Sequence, residues 1–181
     1  VVQLAQKAAT LGIDLLVIDD GWFEGRSNDL SSLGDWIPSK SKFPLGLKAL
    51  ADDVNALGLK LGLWLEPEMV SFDSDLNRKH PNYWLRTPDR TDRDRNQMVL
   101  DLSNKAVVEF LFGALSKLLR SDNIEYIKWD MSRSLTDIYS LRAADLSASG
   151  VFQAETAHRY MLGLYSLQRL VSDAFPGVLI E

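Results

Sequence analysis

Five times in this 181-residue chain a short apolar run stops at an acidic side chain. Residues 15–18 lead to Asp19 and Asp20, 59–65 to Glu66-Pro67-Glu68, 98–100 to Asp101, 124–129 to Asp130 and 178–180 to Glu181. The sharpest of these is Lys128-Trp129-Asp130. Strand residues two apart point to one side, and a lysine beside an aspartate keeps the carboxylate ionised. Such an aspartate can serve as a nucleophile; the same two residues could equally form an ion pair that only secures the strand end. Asp19-Asp20-Gly21-Trp22 offers two further carboxylates, which accept strong hydrogen bonds from hydroxyl groups. Asp-Gly is also a common turn former. Glu66 and Glu68 flank a proline that suits a strand stop, so structural or supporting roles fit them best. Trp64 brings an indole N–H and a large face suited to a sugar. Arg95 could donate to a ligand hydroxyl or pair with one of the carboxylates.

The elements that would carry these groups alternate. Helical spacing runs over 2–11 (Leu4, Ala5, Ala8, Leu11), 46–57 (Leu47, Leu50, Ala51, Val54, Leu57), 104–120 and 153–175. Gly12 and Gly58 fit helix stops. Between the helices lie the short β-rich runs, which read as buried parallel strands. Alternation of this kind predicts an α/β fold, a parallel sheet joined by crossover helices. Carboxylates at the carboxyl ends of parallel strands sit where (β/α)8 barrels build their active sites. Two long connections, 23–45 and 69–97, lie on that same side, and loops of such length are often functional. Trp22, Phe23 and Trp36 lie at or in the first, Tyr83 and Trp84 in the second. Aromatic rings beside carboxylates suit a carbohydrate ligand, although they could simply pack the loops.

Composition narrows the classes. With 46 % hydrophobic and 25 % charged residues the chain is ordinary globular material. A net charge of −5 argues against a nucleic-acid or acidic-membrane partner. The absence of cysteine removes disulfides and thiolate chemistry, and His80 and His158 lack metal-ligand spacing. No stretch is apolar enough for a membrane span. No linker divides the chain, so residues 1–181 are expected to form part of one barrel domain. A whole (β/α)8 barrel takes ~250 residues; the chain opens in a helix and closes in an apparent strand, so truncation at both ends is expected. Strand-end carboxylates with Lys128 as base would also suit a metal-dependent, enolase-type barrel.

Taken together the motifs are specific. Ile18-Asp19-Asp20-Gly21-Trp22-Phe23, Ser32-Leu33-Gly34-Asp35-Trp36, Leu63-Trp64-Leu65-Glu66-Pro67-Glu68-Met69-Val70, Arg95-Asn96-Gln97-Met98-Val99-Leu100-Asp101-Leu102 and Tyr126-Ile127-Lys128-Trp129-Asp130-Met131-Ser132-Arg133 run in order along the chain. The set resembles glycoside hydrolase family 36, α-galactosidases of the melibiase and raffinose-degrading type. The resemblance implies a partial (β/α)8 TIM barrel, from the helix after the first barrel strand to the fifth strand. The Asp130 strand would be the fourth, with 98–101 a short extra piece. It implies a retaining hydrolase of terminal α-galactosyl groups, acting on melibiose or raffinose without cofactor or metal. Asp130 matches the nucleophile. Asp19, Asp20, Trp64, Arg95 and Lys128 match sugar-site residues, and the acid/base is expected beyond Glu181. Implied partners are α-galactoside oligosaccharides, with no nucleic acid or membrane; the full-length enzyme is expected to be a cytoplasmic homo-oligomer. The family usually has asparagine where this chain has Ser132. A raffinose-synthase-type transferase and an inactive sugar-binding fragment are the alternatives.

Overall fold

The computed structural model describes residues 1–89, 94–146 and 153–181. Its centre is a four-stranded parallel sheet of β1 (Leu15–Ile18), β2 (Lys60–Leu65), β5 (Tyr126–Trp129) and β6 (Leu179–Ile180), in that order across the sheet. Neighbours in the sheet are also successive in the chain, with helices in the connections, as the alternating pattern predicts. β2 is central and, after Lys60, buried along its whole length. Gly62 lets β5 approach: a Cβ there would stand 2.9 Å from the Tyr126 side chain.

The helices follow the apolar spacing closely. α1 (Val2–Thr10) and α2 (Gly46–Asn55) turn Ala5, Ala8, Leu47, Leu50, Ala51 and Val54 inward. α4 (Lys105–Ser121) starts at Asn104, whose side chain accepts the Ala106 N–H. α6 (Thr156–Ala174) is three residues shorter at its start than its pattern, because Gln153–Glu155 form a 3₁₀ turn. Helices α4 and α6 pack together. Gly163 of α6 lies so close to the Leu102 carbonyl that a Cβ would fall 1.9 Å from its oxygen. Two short helices, α3 (Asp75–Lys79) and α5 (Leu141–Asp145), have no apolar stripe long enough to read; each is capped by a serine, Ser74 and Ser140.

One strand expectation is corrected. The run ending at Asp101 is not part of the parallel sheet. Residues Gln97–Val99 (β4) pair antiparallel with Met69–Ser71 (β3) in a separate two-stranded sheet. β3 follows β2 after only three residues, too few for the crossover a parallel partner needs. The approach to β4 turns through Arg95 and Asn96, both with positive φ. The 98–101 run is thus the extra piece beside the barrel strands that the family resemblance implies.

Candidate active site

Parallel register brings the acidic residues to one edge. Leu65 sits opposite Trp129, so Glu66 and Asp130 emerge side by side, and the Asp130 N–H extends the ladder to the Leu65 carbonyl at 2.8 Å. Ile18 sits opposite Leu63, which places Asp19 and Asp20 on the far flank of β2.

Asp130 is half-buried and held by three donors. Its Oδ1 accepts the Met131 N–H at 2.8 Å. Its Oδ2 accepts the Trp64 indole N–H at 3.0 Å and the Ser132 hydroxyl at 3.2 Å. Trp64 is 5 % exposed and packs edge-on against Trp36. The structure therefore shows Trp64 as a donor to Asp130, with little open face.

The spacing of Lys128 and Asp130 puts the lysine beside the aspartate, as support for a nucleophile or as an ion pair. Lys128 reaches instead across β2, where its Nζ donates to Asp19 Oδ2 at 2.8 Å. Asp130 is already occupied by Trp64 and Ser132, while Asp19 is open to solvent and in reach. The Lys128 hydrogen bond, helped by the Asp20 N–H, holds the Asp19 carboxyl below its usual range. Asp19 in turn raises Lys128, with smaller contributions from Asp130 and Glu181.

Asp20 meets a partner the sequence reading missed. Arg26, 4 % exposed, grips it with two prongs, Nε to Oδ1 at 2.9 Å and Nη2 to Oδ2 at 2.8 Å. A third bond from Arg26 Nη1 to the Ser31 carbonyl fixes the fork. Nothing in the spacing of an arginine six residues on, inside a long loop, marks it out.

Arg95 is exposed and donates to the Ser132 carbonyl at 3.0 Å. Glu66 is fully buried: its Oε1 accepts the Ser132 N–H at 2.7 Å, and its Oε2 the Gln97 side-chain amide at 2.8 Å. Burial pushes the Glu66 carboxyl above its ordinary range. Glu68 is buried against the Trp129 indole at 3.3 Å and the Tyr160 hydroxyl. Burial, with the Glu68 charge beside it, drives the Tyr160 phenol up. Asp101 is buried on the hydroxyls of Ser103 and Ser140. Glu66, Glu68 and Asp101 are therefore framework carboxylates, as their burial requires.

The loop aromatics resolve toward packing. Trp22, Phe23 and Trp36 are 1 %, 0 % and 4 % exposed; Trp22 stacks on Trp36, and Phe23 meets both edge-on. The Trp22 indole N–H donates to the Trp64 carbonyl at 2.8 Å and braces the end of β2. Tyr83 stacks on His80, and Trp84 is buried with the Arg86 guanidinium over its ring. Among the described residues, no group of three or more His, Asp or Glu side chains is arranged to hold a metal ion. Of the groups an enolase-type site would use, Glu66 is filled by N–H donors, and Lys128, its would-be base, is tied to Asp19.

A parallel α/β sheet whose strand ends gather donor-held carboxylates has the arrangement in which (β/α)8 barrels build their active sites. The chain belongs to the Melibiase family, whose model matches residues 1–181. It is 48 % identical to alpha-galactosidase AgaA of Geobacillus stearothermophilus over 182 residues, covering 100 % of this chain and 24 % of that protein. Alpha-galactosidase Mel36A of Lactobacillus acidophilus is also 48 % identical, over 98 % of this chain and 24 % of its own length. A crystal structure of an AgaA variant in complex with raffinose superposes with a TM-score of 0.91 at 48 % identity, covering 99 % of this chain and 24 % of that one. Another AgaA variant, in complex with stachyose, gives 0.90 at 47 % identity over the same shares. The chain thus spans about a quarter of the length of these relatives. No helix among the described residues is long and apolar enough to cross a membrane.

Proposed function

We propose that the protein carrying this chain is a retaining α-galactosidase and that Asp130 is its nucleophile. The observation that carries the reading is the seating of Asp130 on Trp64, Ser132 and Met131 at the edge shared with Asp19 and Asp20, in a Melibiase-family chain. Three donors hold the carboxylate aimed, which a covalent nucleophile needs. Asp130 attacks the anomeric carbon and forms a glycosyl-enzyme ester while the leaving oxygen takes a proton. Water then cleaves the ester with overall retention.

Retention needs a second carboxyl group about 5–5.5 Å from the first. Glu66 is buried and saturated, Asp19 is tied to Lys128, and Asp20 is clamped by Arg26. None of them is placed to donate a proton to a leaving group, and the family resemblance puts the acid/base beyond Glu181.

Asp19 and Asp20 offer the remaining carboxylate lone pairs to galactose hydroxyls. Lys128 and Arg95 donate to the sugar from the two sides, and Trp64 acts through Asp130. The relatives are named α-galactosidases, and structures of one of them hold raffinose and stachyose. These names support hydrolysis over transfer, with α-galactoside oligosaccharides as substrates. Assembly as a homo-oligomer and a cytoplasmic location rest on the family resemblance alone.

The test is Asp130→Ala in the intact enzyme. Turnover of an aryl α-galactoside should fall by at least about 10³-fold, and azide should partly restore it. A variant retaining a tenth or more of wild-type turnover contradicts the assignment.

A further inference from the structure

We propose that Glu66 is a positioning residue that sets the aim of Asp130 through the Ser132 peptide. The inference rests on the reading of Asp130 as nucleophile. Asp130 is the last residue that the sheet ladder holds, through its N–H on Leu65. Its carboxylate then depends on the turn that follows, Met131-Ser132, for two of its three donors. Met131 is exposed, and the turn is fixed to the protein interior at Ser132. That peptide is gripped from both sides. Glu66 Oε1 takes its N–H at 2.7 Å, and Arg95 Nη1 meets its carbonyl at 3.0 Å. Arg133 anchors the next residue by donating to the Gln97 carbonyl at 2.7 Å.

Glu66 itself cannot drift. It is fully buried, it precedes Pro67, which restricts its backbone, and its second oxygen is pinned by Gln97. Glu66 makes no hydrogen bond to Asp130 among the described contacts, and its charge meets that carboxylate only as a repulsion, so the aim it imparts passes through Ser132. What the site requires of residue 66 is therefore an acceptor at a fixed reach, rather than a negative charge.

Two substitutions separate reach from charge. Glu66→Gln keeps an oxygen at the Ser132 N–H and loses the charge. Its new amide can be met by turning the Gln97 carboxamide over, since the Gln97 Oε1 is buried without a partner. Glu66→Asp keeps the charge and shortens the reach by one methylene.

In the intact enzyme, with an aryl α-galactoside as substrate and galactose as equilibrium ligand, Glu66→Gln should keep kcat within about tenfold of wild type. Glu66→Asp should lose kcat on the order of 100-fold, the scale of a misplacement near 1 Å, with galactose Kd changed less than about threefold. In a Ser132→Ala background the Glu66→Asp loss should shrink by at least about threefold, because one of the two donors that transmit it is gone while the Met131 N–H remains. The reverse ranking, with Asp active and Gln impaired, overturns the proposal, as does an undiminished loss in the Ser132→Ala background. Asp130→Ala serves as the control. If it is inactive while Glu66→Asp turns over normally, this inference alone fails; if Asp130→Ala is active, the nucleophile assignment fails and this inference with it.

Discussion

At the scale of single residues the site is a set of charge pairings drawn from three strand ends, and each pairing makes its own prediction. Asp19 and Asp20, the proposed sugar carboxylates, are held by different partners, Lys128 and Arg26. Asp19→Asn removes the charge that Lys128 pairs with and a charge-assisted bond to ligand, worth roughly 1.5–3 kcal/mol. In the intact enzyme kcat/KM for α-galactosides should fall by about 10- to 100-fold with Tm nearly unchanged, because Asp19 is exposed. Unaltered galactose affinity would reduce the residue to a turn former. Arg26→Met should behave differently. Arg26 is buried and makes three bonds, so its loss should lower both stability and galactose affinity, the latter through a freed Asp20. The acidic residues of this constellation were legible in the sequence, because each closes an apolar run. Their partners were not. Lys128 reaching across β2 to Asp19, and Arg26 folding back onto Asp20, depend on strand order and loop path, which residue spacing does not encode.

At the scale of elements, a buried polar seam behind the site ties α6 to the strand ends. Tyr160 donates to Glu68, which also takes the indole N–H of Trp129, the residue before Asp130. Tyr160→Phe leaves a buried carboxylate short of a partner and should cost about 1–3 kcal/mol by denaturant melting of the intact enzyme. Gly163→Ala should be at least as harmful, since its methyl would meet the Leu102 backbone, although alanine is ordinarily the better helix former. A variant as stable as wild type would mean that α6 does not seat there.

Glu66 adds a pH signature. Its folded-state pKa is raised by burial, so the folded protein holds that proton more tightly than the unfolded chain. The stability it contributes is present below the ordinary glutamate value of 4.5 and is lost as pH rises through the raised value. The Tm of Glu66→Gln relative to wild type should therefore climb as pH goes from 4.5 toward neutrality; a difference that falls over that window contradicts the account. The long helices and the β2 and β5 strands were legible because their periodicities are strong. The separate β3–β4 pair was not, since three apolar residues look alike in either sheet. Nor were α3 and α5, whose serine caps carry more of the signal than their sides do.

At the scale of the whole molecule, the described sheet has β1 and β6 at its edges. β1 is only half-buried along its length, and β6 leaves Leu179 60 % exposed. Leu4 and Leu11 of the neighbouring helix region are 60 % and 77 % exposed. Open strand edges beside bare apolar side chains invite self-pairing. Residues 1–181 produced alone should self-associate in sedimentation velocity and should not turn over melibiose or raffinose. A monomer with a cooperative melt that hydrolyses either sugar would contradict this, and would require the acid/base to be sought among Glu66, Glu68, Asp101 and Glu181. The chain's place within a barrel was legible from five motifs acting together, where any one of them alone would have allowed a turn, a cap or an ion pair.

The most direct test of the central claim is to trap the covalent intermediate. The intact enzyme would be treated with a fluorinated α-galactosyl fluoride that slows deglycosylation, then digested and mapped by mass spectrometry. The account predicts a single galactosyl-ester adduct on the peptide containing Lys128-Trp129-Asp130, localised to Asp130 and lost in Asp130→Ala. An adduct on Asp19, Asp20 or Glu66, or turnover of the reagent without any adduct on Asp130, would contradict it.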